Sequence, residues 1–225
     1  MAFGGTGPDN SWMADAGVNL WDQAEHARQY LAQADTIPHR AEGELELLAC
    51  LPAEPRRVLD LGSGDGRLLA LIRRRHPRVA AVAVDFSPTM LDRLRERFAG
   101  DPGTTVAAHD LAAPLPDLGT FDVIVSSFAI HHVTHERKRV LYGEIFDRLA
   151  PGGVFCNLEH VASPTAALHA RFLASLGVTP ETEDPSNKLL GVEPQLAWLR
   201  DIGFADVDCH WKWRELALLA GVRAA

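Results

Sequence analysis

The chain holds 225 residues, 47% apolar and 23% charged, a balance that excludes a disordered chain and predicts one globular fold with a sizeable core. Its 22 basic and 30 acidic side chains leave a formal charge of −8, which disfavours non-specific binding to nucleic acid or an anionic membrane and suits a cationic ligand. Cys50, Cys156 and Cys209 form no CxxC pair, so zinc-ribbon and thioredoxin-like chemistry lose support and buried free thiols of a reducing compartment are expected.

Residues 1–17 carry no period and read as a flexible arm without the basic and apolar regions of a secretory leader. With no run of bilayer-spanning length, a cytoplasmic location is expected. From Asn19, a plausible N-cap, Leu20, Trp21, Ala24, Ala27, Leu31 and Ala34 recur at helical spacing. A second helix follows Pro38 and stops near Pro52, so residues 18–52 read as a helical lid. Residues 53–225 then alternate. Strands are predicted at Val58–Leu61, Val79–Asp85, Thr104–His109, Phe121–Ser127 and Val154–Val161. Helices are predicted at Leu68–Arg75, Pro88–Ala99, Glu136–Leu149, Pro164–Leu176 and Glu193–Asp201, with a turn at 150–153 and a loop at 177–187. Strands Asp206–Trp211 and Leu216–Val222 are joined closely enough to form an antiparallel hairpin. The fold class is α/β: a doubly wound, mostly parallel seven-stranded sheet with an antiparallel C-terminal edge strand and an N-terminal helical extension.

The informative segment is VLDLGSGDGRLLALI, Val58 to Ile72, a strand running through Gly62, Gly64 and Gly66 into a helix. Glycines let a backbone approach a ligand closely, and ligands of such sheets bind beyond the carboxyl ends of the strands. A dinucleotide fingerprint needs G-x-G-x-x-G, but Arg67 stands where its third glycine would be. Asp60 and Asp65 would repel a pyrophosphate and attract an ammonium or sulfonium group. No Gly-Lys-Ser/Thr of a phosphate loop follows. Asp85 ends the next strand, placed for two ribose hydroxyls, and Asp110 follows the third, suited to the exocyclic amine of adenine. Aspartate favours turns on its own account. Three at successive strand ends beside a glycine turn point instead to a ligand.

The ordered set resembles the class I S-adenosylmethionine-dependent methyltransferases, in their small-molecule type 11/12/25-like branch. DLGSGDG is similar to the first motif, VAVDFSPTML to the second, HDLAAPLP to the third, FDVIVSSFAIHHV to the fourth and LAPGGVF to the turn before the fifth strand. The resemblance covers Trp21 to Arg223 and implies a Rossmann-like fold and S-adenosylmethionine as cofactor. It implies that Asp60, Gly62, Ser63, Gly64 and Gly66 hold the methionine portion and Asp85 the ribose. Phe86 and Met90 would lie beside the adenine, Asp110 and Leu111 would read its edge, and Ser126 or Ser127 would line the cofactor near the sulfonium.

Methyl transfer by direct displacement needs alignment, exclusion of water and loss of a proton from the acceptor. His131 and His132 follow the fourth strand, and imidazole titrates near neutral pH. In phosphoethanolamine-type members a similarly spaced histidine faces the acceptor, and His132 is its match, as base or orienter. A helix-capping role for one of the pair stays open. Tyr30 would partner it if the lid closes. Glu159 and His160 end the fifth strand, where alternation sends them to opposite faces. His132, Glu159 and His160, near His131 and His135, would be the ligands of a divalent metal orienting a chelating acceptor; a pocket without metal is preferred. Trp211 and Trp213 read as core or sheet face, and the basic run Arg73 to Arg78 as a solvated helix end. The expected activity is O- or N-methylation of a small-molecule acceptor, with no membrane partner and a homodimer left open. The alternatives are a tRNA methyltransferase of the wobble-uridine type, which the acidic charge disfavours, a non-catalytic cofactor-binding protein, and an NAD-dependent reductase.

Overall fold

The computed structural model describes residues 20–33 and 36–225, apart from the side chains of Asp22, Tyr30 and Gln33. The arm expected over 1–17 and the Asn19 cap lie outside the described residues. The first lid helix is split into a 3-10 turn, Leu20–Asp22, and α1, Ala24–Gln33; α2 runs Arg40–Cys50.

Seven strands make one sheet: β1 (Arg57–Leu61), β2 (Ala80–Asp85), β3 (Thr104–Ala108), β4 (Phe121–Ser127), β5 (Leu149–His160), β6 (Ala205–Trp213) and β7 (Leu216–Val222). Their order is β3-β2-β1-β4-β5-β7-β6. The first five pair in parallel, while β7 pairs antiparallel with both β5 and β6. Crossovers run through α3 (Arg67–Arg75), α4 (Pro88–Arg97), α5 (His135–Arg148), α6 (Ala166–Ser175) and α7 (Val192–Ile202).

Adjacent residues of β1 show why its run is apolar throughout. Val58 packs with Leu47 and Leu48 of α2 and Leu68 and Ile72 of α3. Leu59 packs on the other face with Leu141 and Ile145 of α5 and Leu199 of α7. The turn expected at 150–153 is taken up into β5. Phe121 pairs with Leu149 and Val123 with Val154, so five residues of β5 run beside two of β4, a bulge. It persists because Gly152 N donates to Arg223 O (2.7 Å) and Arg223 N to Gly153 O (2.9 Å). The chain winds outward from β1 to β3, then restarts at β4 on the other side of β1. The resulting crevice, at the carboxyl ends of β1 and β4, positions the site. Among the described residues no helix is long and apolar enough to cross a membrane.

Candidate active site

The glycine turn leaves β1 with Gly62 at φ +66° and Gly64 at φ +56°. A Cβ on Gly62 would lie 2.2 Å from the Ala129 side chain, whereas one on Gly64 would meet nothing within 4 Å. Gly62 thus lets two backbone segments touch, and Gly64 leaves open space toward a cavity. Asp85 ties the turn to β2: its carboxylate accepts from Gly64 N (2.8 Å) and Ser87 N (2.9 Å). Burial pushes the Asp85 carboxyl up from its ordinary value, and the N–H groups of Ser87, Gly64 and Phe86 partly offset this.

Asp60 has no such donors. It is 1% exposed, and neither carboxylate oxygen has a hydrogen-bond partner. Ser63 Oγ donates to its backbone carbonyl at 2.9 Å instead. Burial first pushes its carboxyl up, to about 7; the nearby Ser63 hydroxyl offsets part of this, and the charges of Asp85 and Asp65 add to it. Buried polar groups are normally satisfied, so this one calls for a partner the protein does not supply. Asp65 is engaged elsewhere, with the Arg97 guanidinium.

Asp60 and Asp85 border a cavity, open on one side, which Ser63, Gly64, Phe86, Met90 and Leu111 also line. Asp110 reaches its rim, its carboxylate accepting from Ala112 N at 2.8 Å. The chemistry fits S-adenosylmethionine. Asp60 answers an ammonium, Asp85 keeps lone pairs for hydroxyls, and Phe86, Met90 and Leu111 offer apolar surface to a base. The two serines part company. Ser127 lines the cavity and its Oγ has no partner. Ser126 does not line it; its Oγ donates to Leu61 O at 2.9 Å and fastens β4 to β1.

Beyond β4, Phe128 adopts φ +53°, a conformation that costs a bulky residue on the order of 1–3 kcal/mol. Its N–H donates to Leu158 O (2.8 Å), and the Arg40 guanidinium lies 5.4 Å from its ring centre. A 3-10 turn, Ile130–His132, follows and presents both histidines. His131 Nδ1 lies 2.7 Å from Glu159 Oε1. Burial holds His131 below the ordinary histidine range despite that carboxylate. Burial alone would raise Glu159, but His131 and Lys138 outweigh it and hold it below the carboxylate range. The pair is therefore a neutral imidazole donating from Nδ1 to a carboxylate, which leaves Nε2 as an acceptor. Asn157 Nδ2 reaches both Glu159 Oε2 and Tyr142 Oη at 3.3 Å, and Tyr142 donates to Gln195 Oε1 at 2.6 Å.

His132 lies 3.0 Å through Nδ1 from Ser186 Oγ, with Trp21 5.2 Å from its ring. Burial, then His131, hold it well below the histidine range. His131, His132 and His160 line a second cavity, and Trp21, Phe128 and His132 line both. Glu159 does not line it. Tyr30 lies on α1 with its side chain outside the described residues. The suggested metal ligands do not converge: Glu159 is engaged with His131 and Asn157, and His160 Nε2 with Glu215 Oε2 at 3.0 Å. Among the described residues no group of three or more His, Cys, Asp or Glu side chains is placed to hold a metal ion. His135 instead lies 3.1 Å from Leu189 O, and Trp213 stacks on His39.

Sequence reasoning missed Trp21 and Phe128 at the junction, and the tie between lid and turn. Glu44 of α2, 2% exposed, binds Arg40 Nε (3.0 Å) and Arg67 Nε (2.7 Å). Nothing in the spacing of α2 announces Arg67, 23 residues beyond Glu44.

This strand order, with an acid-flanked glycine turn at its switch point, defines a Rossmann-like α/β fold for a nucleoside-bearing cofactor. A family model described as "Methyltransferase domain" matches residues 59–155. An uncharacterised methyltransferase of Mycobacterium bovis is 39% identical over 113 residues, 50% of this chain and 55% of that protein. The chain thus matches about half the length of that relative. A trans-aconitate 2-methyltransferase of Methylobacterium nodulans is 32% identical over 216 residues, 90% of this chain and 75% of that protein. In fold, an O-methyltransferase family protein of Burkholderia thailandensis superposes with a TM-score of 0.70 at 24% identity, over 91% of this chain and 62% of that one. The chain belongs to the S-adenosylmethionine-dependent methyltransferase family.

Proposed function

We propose that the protein methylates an oxygen or nitrogen of a small-molecule acceptor. Bound S-adenosylmethionine supplies an electrophilic methyl group on a sulfonium. Asp60 and the 62–66 turn would hold its methionine portion and Asp85 its ribose; Phe86, Met90, Asp110 and Leu111 would hold the adenine, and Ser127 would stand nearest the sulfur. One observation carries this reading: the buried Asp60 carboxylate lacks the donors it requires, and a ligand ammonium provides them.

The acceptor occupies the second cavity. His131 takes its proton at Nε2, and Glu159 is a positioning residue that fixes the tautomer. His132, at the junction, orients the acceptor. Its partner is a hydroxyl and its proton affinity is depressed further, so the base is assigned to His131 rather than to His132. Residues 18–52 act as a lid that excludes water, since Trp21 lines both cavities and Arg40 the first. The name of the Methylobacterium relative supports a small-molecule acceptor. Incubation with radiolabelled cofactor and either a metabolite extract or tRNA tests the proposal. Label is expected in the small-molecule fraction and is lost in His131→Ala; label in the tRNA would overturn it.

A further inference from the structure

Charge around the second cavity restricts what can enter it. Its ionisable lining comprises Glu183, Asp184 and the imidazoles of His131, His132 and His160; among the described residues no lysine or arginine lines it. Two more carboxylates stand behind the wall, Glu159 at 0% and Glu215 at 1% exposure. Both His131 and His132 are held on the neutral side by burial. Two cations answer these acids: Lys138, whose charge acts on Glu159 behind the wall, and His169. His169 is held above the histidine range against its own desolvation by Glu215 and Glu183. Its Nδ1 lies 3.0 Å from Glu215 Oε1 and its Nε2 3.0 Å from Glu183 Oε2, so both N–H groups are committed. Four carboxylates (Glu159, Glu183, Asp184, Glu215) against the His169 imidazolium and the Lys138 ammonium still leave a net negative charge at this end. The other walls are apolar: Phe128, Phe172, Leu173, Leu176 and Leu216.

A carboxylate or phosphate group is recognised by guanidinium or ammonium donors, and this cavity opposes it with like charge. We infer that the acceptor, unlike the tricarboxylate in the Methylobacterium relative's name, carries no carboxylate, phosphate or sulfate: it is an apolar molecule whose polar end is neutral or cationic. Glu183 and Asp184 are then specificity-determining residues. The inference rests on the second cavity being the acceptor site.

Three phenols of one shape test it: tyramine with an ammonium, tyrosol with a hydroxyl and 4-hydroxyphenylacetate with a carboxylate. Each is titrated by calorimetry at pH 7 into the full chain saturated with S-adenosylhomocysteine. Tyramine and tyrosol are expected to bind on the order of ten-fold more tightly than the carboxylate. In the Glu183→Gln/Asp184→Asn double variant the gap between tyramine and the carboxylate should close while S-adenosylhomocysteine affinity is kept. Glutamine retains an acceptor for His169, which protects the fold. Equal or tighter binding of the carboxylate overturns the inference, as does an unchanged gap in the double variant or the failure of all three probes at millimolar concentration. The preceding cofactor titration reports on the family's binding site separately, so loss of that signal would strike the underlying reading instead.

Discussion

Asp60 is ionised at the expense of the fold. Its folded-state pKa, about 7, exceeds the ordinary carboxylate value of about 3.9, so the folded protein binds the proton more tightly. The stability penalty is absent below pH 4, grows as pH rises through the window from 4 to 7, and is full above it, at ~4 kcal/mol. Asp60→Asn should therefore melt higher than the parent at pH 8, with the difference shrinking toward pH 4, and should lose affinity for S-adenosylhomocysteine. Thermal melts and calorimetry read the two effects. The glycines separate in the same way. Gly64→Ala should cost about 1–2 kcal/mol of stability, through its left-handed backbone, yet lose most cofactor affinity. Gly62→Ala, with a Cβ driven into Ala129, should fail to fold stably. At His131, long-range nitrogen NMR should show the Nδ1–H tautomer at pH 7. Because both imidazoles are depressed, His131 should take a proton only below pH 6.5, and His132 only well below it. Stability from these buried neutral rings is present above pH 6.5 and declines as pH falls through it.

At the scale of elements, α2 is pinned to the start of α3 through Glu44 and Arg67. Glu44→Gln weakens a buried ion pair, half of it partly solvated, and should cost on the order of 1–3 kcal/mol. Hydrogen exchange should quicken in α2 and leave β1 to β5 unchanged. Much of the architecture was legible in the chain itself: β1, β2 and β4 are buried on both faces, so their apolar runs announce them, and the acids at the ends of β1, β2 and β3 followed from strand boundaries. The bulge at 150–153 was not legible, since its glycines look like a turn until Arg223 arrives to bond them. Nor was the division of labour between Ser126 and Ser127, where one residue of register decides which hydroxyl reaches the cavity. The His131–Glu159 pair joins residues 28 apart in sequence, and alternation along β5 gave no hint that Glu159 would turn to meet it.

For the whole molecule, cofactor binding and proton balance are linked. An ammonium placed at Asp60 favours the carboxylate, so S-adenosylhomocysteine should expel a proton on binding near pH 6.5 and none near pH 9. Calorimetry in buffers of different ionisation heat measures this directly: the apparent enthalpy should track buffer heat at the lower pH alone. The strand order has a consequence of another kind. β7 is the last strand in the chain yet lies inside the sheet, between β5 and β6. A polypeptide leaving the ribosome thus has β1 to β4 in hand early, while β5 waits with one bare edge and His160 has not met Glu215. Every copy passes through an interval in which an unsheathed strand is open to wrong pairing, and the nucleoside-binding strands pair before the far edge of the sheet is complete.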